Sequence, residues 1–388
     1  MFGPTIFDSA EEKIMFRREV RRFLQKEVVP TNKERAKLNH VPQELWKKIA
    51  DQQLLRVNVP EKYGGEPADW ITVGILVEEI GRADFLLYHP LLMVHLAWLS
   101  LQSASDELQM EWMPALLSGD KVLSVGLTEP ECGSDAAAII ARAERNGSDY
   151  IINGEKVPVT QGMSSDATLV WASTDKAAGA RGITCFLMPH DLPGVTRTPV
   201  PYLGYYQLEA ATMVMQGVRV PESLRVGKEG DGFYMVMRDF DVARIILALA
   251  CLGAAQISLE EAIAYSKERR AFGKPICKYE AVSHKIAHHA TQIQAARLLC
   301  YHALWLRDQR KTHTMESSMA KWFSINEVAV PAIHDALLIH GQYGYSEEYN
   351  IVGRLKDVLG LEIGDGTADI QKLVIARELI GEESLPYR

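Results

Sequence analysis

Asp365 stands between two glycines in LEIGDGTADIQKLVIARELI, Leu361 to Ile380. A carboxylate held on a sharp bend ahead of an apolar helical stretch can do three things. It can shape a turn, because Asp before Gly is a common turn pair. It can cap the helix that follows. It can also take a proton, if the fold brings a C–H acid within about 3 Å of it. Asp241 and Arg244 form a second candidate pair. They lie three apart in a helical stretch, where they either pair on the helix for a few tenths of a kcal/mol or bind a polar group together. A third candidate is Leu127 to Asp135, LTEPECGSD, whose Pro and Gly predict a turn between strands. His89, His95 and Trp98 fall on an apolar helix, where a lone histidine is more often structural.

Periodicity supplies the elements that must carry these residues. Ser9-Ala10-Glu11-Glu12 matches a capping box, and Phe16, Val20, Phe23 and Leu24 follow at helical spacing. Helical patterning continues through Gln43–Gln53, Thr72–Arg82 and Tyr88–Ser103. From about Lys121 to Arg225 the texture changes to short β-rich runs such as ATLVWAST and GITCFLMP, divided by Gly, Pro, Asn and Asp. The helical period returns after Gly232, and its longest piece spans about Phe233 to Arg270 with interior kinks expected. The order is α, β, α, with boundaries near 120 and 227.

The 388 residues are 47% hydrophobic and 24% charged, the composition of an ordinary globular protein. A net charge of -8 without a basic run argues against nucleic-acid binding. Cysteines 132, 185, 251, 277 and 300 are scattered, which argues against a disulfide framework or a metal site and suits a reducing cytoplasm. No membrane span and no signal peptide are expected. GxGxxG is absent, so an NAD-type dinucleotide fold is not supported.

Four stretches, in matching order over nearly the whole chain, resemble one family. LTEPECGSD resembles the TEPxxGSD loop of the acyl-CoA dehydrogenases. RRAFGKPI (Arg269 to Ile276) resembles their RxxFGKPI segment, and IHGQYGYSEEY (Ile339 to Tyr349) their GGxGYxxEY. IGDGTADIQKLVIAREL resembles YEGTSEIQRLVIAREL. The resemblance implies a mostly α fold with a middle β domain. An N-terminal helical domain (1–120) and a β-barrel-like domain (121–226) would precede a C-terminal four-helix bundle (227–388). It implies FAD as cofactor, an acyl-CoA substrate, an electron-transferring flavoprotein as partner, and a homotetramer.

Carried over residue by residue, Leu127, Thr128, Gly133, Ser134, Pro158 and Thr160 would meet the flavin. Arg269 and Phe272 would reach the FAD of a neighbouring subunit, and Thr367 and Asp369 would lie near its adenosine end. Ser134, Asp241, Arg244, Gly364 and Gly366 would face the thioester, with Asp365 as the base. The Asp365 N–H and a flavin hydroxyl would stabilise the enolate oxygen.

Three departures from the family pattern matter. Pro158 stands where a tryptophan usually packs against the flavin. Gly364 replaces a tyrosine, and Asp365 replaces the usual glutamate. The residue before Arg244, another known base position, is Ala243, so Asp365 is the only carboxylate at either place. A shorter base and a missing ring imply room for an acyl group branched or cyclic at Cα, of the cyclohexane-1-carboxyl type. Leu338 and Gln342 also depart from the pattern, and no role is assigned to them. An oxygen-using flavin oxidase, nitroalkane-oxidase-like, and an enoyl-CoA reductase are the alternative activities on this scaffold. A non-catalytic relative that binds nucleic acid is disfavoured by the charge.

Overall fold

In a computed structural model, residues 3–385 are described. Helices α1 (Glu11–Glu27), α2 (Asn32–Arg35), α3 (Gln43–Asp51), α4 (Trp70–Ala83), α5 (Tyr88–Leu101) and α6 (Asp106–Leu117) come first. Strands β1 (Leu123–Gly126), β2 (Arg142–Asn146), β3 (Asp149–Val159), β4 (Ala167–Ser173), β5 (Ile183–Pro189), β6 (Val195–Pro199), β7 (Ala211–Pro221) and β8 (Arg225–Val226) follow. Helix α7 (Gly232–Glu268) leads through the hairpin β9 (Arg270–Ala271) and β10 (Lys274–Pro275) to α8 (Glu280–Asp308) and α9 (Thr314–Trp322). A stretch of wide, π-type turns, Phe323–Ala329, joins α9 to α10 (Val330–His340), and α11 (Ile351–Ile363) and α12 (Ala368–Ile380) complete the order. The helical, sheet and helical thirds match the texture of the sequence. Helix α7, where the sequence led to an expectation of interior kinks, is one uninterrupted element of 37 residues.

The capping box at Ser9 does not form. The Ser9 hydroxyl donates to the Ile6 carbonyl, and α1 begins after Ala10, whose carbonyl accepts from the Lys13 and Ile14 N–H groups.

The chain forms two compact units. One comprises the segment up to Lys37, Asp69–Tyr88, and everything from Asp241; the other is Leu38–Ala68 with His89–Phe240. In the first, α4 and α7 approach at glycines. A Cβ on Gly253 would lie 2.3 Å from the Glu78 carbonyl oxygen, and one on Gly81 would lie 2.3 Å from that of Ala250. Close backbone contact between helices requires this small residue. By length and composition α7 could cross a membrane, contrary to the sequence expectation. Yet 94% of its most apolar window is buried inside the protein, the environment of a core helix.

In the second unit the strands form one sheet in the order β6-β7-β3-β2-β4-β5-β8, with β1 joined parallel to β4. Tyr150, Ile152, Val170, Phe186, Met213 and Met215 build its core. The buried residues of β3 and β7 alternate along the strand, as one buried face demands.

Candidate active site

Four residues, Gly364 to Thr367, connect α11 to α12. Asp365 (φ +54) and Gly366 (φ +94) both take left-handed backbone conformations. Asp tolerates this better than most residues, and glycine takes it without a Cβ penalty. Thr367 is the N-cap of α12, its Oγ1 accepting from the Ile370 N–H at 3.4 Å. The cap position is therefore filled two residues after Asp365, which leaves the turn and the base as its roles.

Three buried side chains hold this turn by its carbonyls. Arg244 Nε donates to Asp365 O at 3.2 Å. Gln371 Nε2 donates to both Asp365 O and Gly366 O at 3.1 Å. Lys321 Nζ donates to Gly366 O at 2.6 Å. The carboxylate of Asp365 makes no hydrogen bond or ion pair with another described residue, and its N–H has no acceptor among them. Burial lifts the carboxyl above the usual aspartate range, opposed by the positive charges of Arg244 and Lys321. A half-buried acid with a raised pKa and unused lone pairs is suited to accepting a proton near neutrality. The unused N–H beside it is suited to an oxyanion.

Asp241 and Arg244 pair on α7 at 3.4 Å. Asp241 also accepts from Thr314 Oγ1 at 2.6 Å. The intrahelical pair thus exists, and Arg244 extends from it to the Asp365 turn. Asp369 is exposed in the first turn of α12. Arg269 is exposed, and Phe272, at the tip of the β9–β10 hairpin with φ +49, is 97% exposed.

In the second unit, β1 delivers the LTEPECGSD loop. Glu129 is buried and accepts from the Ile140 and Ala141 N–H groups at 2.6 and 3.0 Å. The fully buried Lys156 on β3 donates to Glu129 Oε1 at 2.6 Å and to Leu127 O at 3.0 Å. Val157 N–H donates to Thr128 O at 3.0 Å. Leu127 is buried, Thr128 and Thr160 are half-buried, and Gly133 and Ser134 are exposed. Pro158 is exposed at a bulge where Val157 and Pro158 stand opposite one residue of β7. A residue without an N–H is tolerated at such a break in the ladder. His95 sits between the carbonyls of Leu91 and Val57, and His89 Nδ1 lies 2.9 Å from Gln161 Oε1.

Models of the acyl-CoA dehydrogenase N-terminal, middle and C-terminal domains match residues 10–120, 124–218 and 230–380. An acyl-CoA dehydrogenase of Bacillus subtilis (strain 168) is 36% identical over 96% of this chain and 98% of its own. The chain belongs to the acyl-CoA dehydrogenase family. Among solved structures, butyryl-CoA dehydrogenase from Megasphaera elsdenii superposes with a TM-score of 0.90. It shares 31% identity, over 98% of this chain and all of the other. A structure titled electron transferring flavoprotein of Acidaminococcus fermentans also matches, with a TM-score of 0.90 and 30% identity over 98% of this chain and 99% of that one.

Acyl-CoA dehydrogenases are FAD-dependent oxidoreductases of CH–CH bonds. The LTEPECGSD loop fits such a cofactor. Its Leu127 and Thr128 carbonyls are used internally, whereas the hydroxyls of Thr128, Ser134 and Thr160 bond no other described residue. Those hydroxyls are donors and acceptors of the kind an isoalloxazine edge needs. Neither sterics nor backbone requires glycine at 133, where a Cβ would meet nothing nearer than 3.8 Å. Sequence reasoning missed Lys156, Lys321 and Gln371. Lys156 and Lys321 act through partners 27 and 45 positions away, which no local spacing announces, whereas Gln371 reaches back only six and five residues to the turn before its own helix.

Proposed function

We propose that this acyl-CoA dehydrogenase oxidises an acyl-CoA between Cα and Cβ, with Asp365 taking the α-proton. The observation that carries this reading is a half-buried carboxylate on a pinned turn, raised in pKa and bonded to no other described residue. A thioester seated with its carbonyl oxygen at the Asp365 N–H would have its developing enolate charge met there. Leu127, Thr128, Gly133, Ser134, Pro158 and Thr160 would hold FAD at the LTEPECGSD loop, and FAD bound there would supply the acceptor for the β-hydrogen as hydride. Arg244 does not touch the reacting carbon in this scheme; it holds the turn, Asp241 pairs with it, and both face the thioester side.

The acyl group in this reading is branched or cyclic at Cα, of the cyclohexane-1-carboxyl type. Gly364 supports it. Its backbone is extended (φ -58, ψ 149), a conformation open to any residue, and a Cβ there would meet only ordinary contacts at 3.5 and 3.6 Å. Nothing in the backbone requires glycine, so the missing side chain is free to serve ligand space. In this reading an electron-transferring flavoprotein takes the electrons onward. The exposed Phe272 and Arg269 suit contact with FAD in another copy of a homotetramer, and Thr367 and Asp369 suit its adenosine end. Five unpaired cysteines suit a cytoplasmic setting.

Anaerobic flavin bleaching with butyryl-, octanoyl-, isovaleryl- and cyclohexanecarboxyl-CoA tests this. Bleaching by a branched or cyclic thioester, lost in Asp365→Ala, is the expected result. Reaction with straight chains alone would remove the branched or cyclic preference, and bleaching by Asp365→Ala would remove the base. Rapid oxygen consumption with substrate would turn the reading to an oxidase.

A further inference from the structure

Lys321 lies at the end of α9 and is fully buried. Its ammonium forms no ion pair with a described residue. Instead it donates to two backbone carbonyls, Gly366 O at 2.6 Å and Glu362 O at 3.3 Å. These acceptors bracket Asp365, one residue after it and three before. A buried ammonium with neutral partners is costly, and a well-packed apolar residue in its place would often serve stability as well or better. Its placement therefore points to the turn rather than to the core. The helix carrying it widens directly afterwards into the π-type turns Phe323–Ala329, and Asn326 Nδ2 in that stretch donates to Glu362 Oε1 at 3.0 Å. Residues five apart diverge on an α-helix but approach one face where hydrogen bonds run i to i+5. Lys321 and Asn326 thus both reach the end of α11, and such wide turns are frequent at functional sites.

We propose that Lys321 is a positioning residue for Asp365, holding the carbonyls on both sides of the turn so that the carboxylate meets the substrate Cα. The inference rests on the reading of Asp365 as the base. Lys321 also acts through charge, since it opposes the upward shift of the Asp365 carboxyl. Burial brings its own pKa down to about 8, against the pull of Asp365, Cys251 and Glu362 and with the push of Arg244. Arg244 and Cys251 face it from α7 and Glu362 from α11.

The test isolates proton abstraction from oxidation. Acetyl-CoA has an α-hydrogen but no β-hydrogen to give to FAD, so its α-exchange in D2O reads the base alone. Exchange is measured against pH on the FAD-loaded protein, alongside FAD content and the thermal midpoint. Lys321→Met should slow exchange by about 10²-fold, the scale of a 1 Å misplacement, with FAD retained. Its acid limb should move to higher pH, because a charge that favours ionised Asp365 is gone. Lys321→Gln, which keeps donors without charge, should recover part of the rate and none of the limb. A purely structural lysine would change the midpoint and leave the limb in place. Exchange within about twofold of wild type and an unmoved limb would overturn the inference, as would loss of FAD or fold in both variants. Asp365→Asn separates the two claims. If it still exchanges, the base assignment is wrong. If it is silent while Lys321→Met matches wild type, only the positioning role fails.

Discussion

Glu129 and Asp365 are both acids on loops that carry the family's motifs, and the fold treats them in opposite ways. Glu129 accepts from two backbone N–H groups and from the ammonium of Lys156. Around Asp365 the cations go elsewhere. Arg244 and Lys321 bond the carbonyls of the turn and leave the carboxylate unpaired. A satisfied buried carboxylate builds a loop. An unsatisfied one, with its pKa raised, is available for chemistry. The difference is one of partners, since both residues are acids beside a turn in the sequence.

The largest effect should come from removing the unpaired acid. Asp365→Asn should lower flavin reduction by about 10²–10⁴-fold, the range for a general base, as read by stopped-flow bleaching with FAD content unchanged. A loss below tenfold would break the contrast with Glu129. Glu129→Gln should do the converse. It leaves Lys156 buried without its countercharge, which costs about 3–5 kcal/mol, measurable by denaturant unfolding. An unchanged midpoint would show that the pair is not a structural clamp.

The pH dependence sharpens the same comparison. Proton abstraction needs ionised Asp365, and burial lifts that carboxyl above the ordinary aspartate value of 3.8. The rate should fall as pH falls through the raised value, giving an acid limb above 3.8 in the wild type. Stability should move the other way. A carboxyl whose folded pKa exceeds its unfolded one is destabilising when ionised. Asp365→Asn should therefore be the more stable protein above the raised pKa, and the gap should close as pH falls through the unfolded value. Thermal midpoints across pH check this; a wild type more stable than the variant at neutral pH would contradict it.

The smallest effects concern the flanking glycines. Gly366→Ala should cost about 1–3 kcal/mol, because a side chain is strained at its φ of +94 and the new Cβ would meet Gln371 Nε2 at 2.6 Å. Gly364→Ala should stay within about 0.5 kcal/mol, and thermal unfolding of the pair decides. Equal costs would mean that Gly364 is held by the backbone after all, which would remove its link to substrate size.

Much of this protein was legible in the order of its residues. Period 2 and period 3.6 gave the succession of helices, strands and helices, because burial of one face leaves that imprint on any chain. Asp-Gly marked the bend. Ser9 misled because a capping box is a local pattern, and here the hydroxyl found the Ile6 carbonyl instead. Tertiary structure alone decided which carboxylate would be paired. Lys156 meets Glu129 across 27 positions, Lys321 meets Gly366 across 45, and Arg244 meets Asp365 across 121. Hydrogen bonds depend on distance in space, and the sequence encodes those distances only through the fold as a whole.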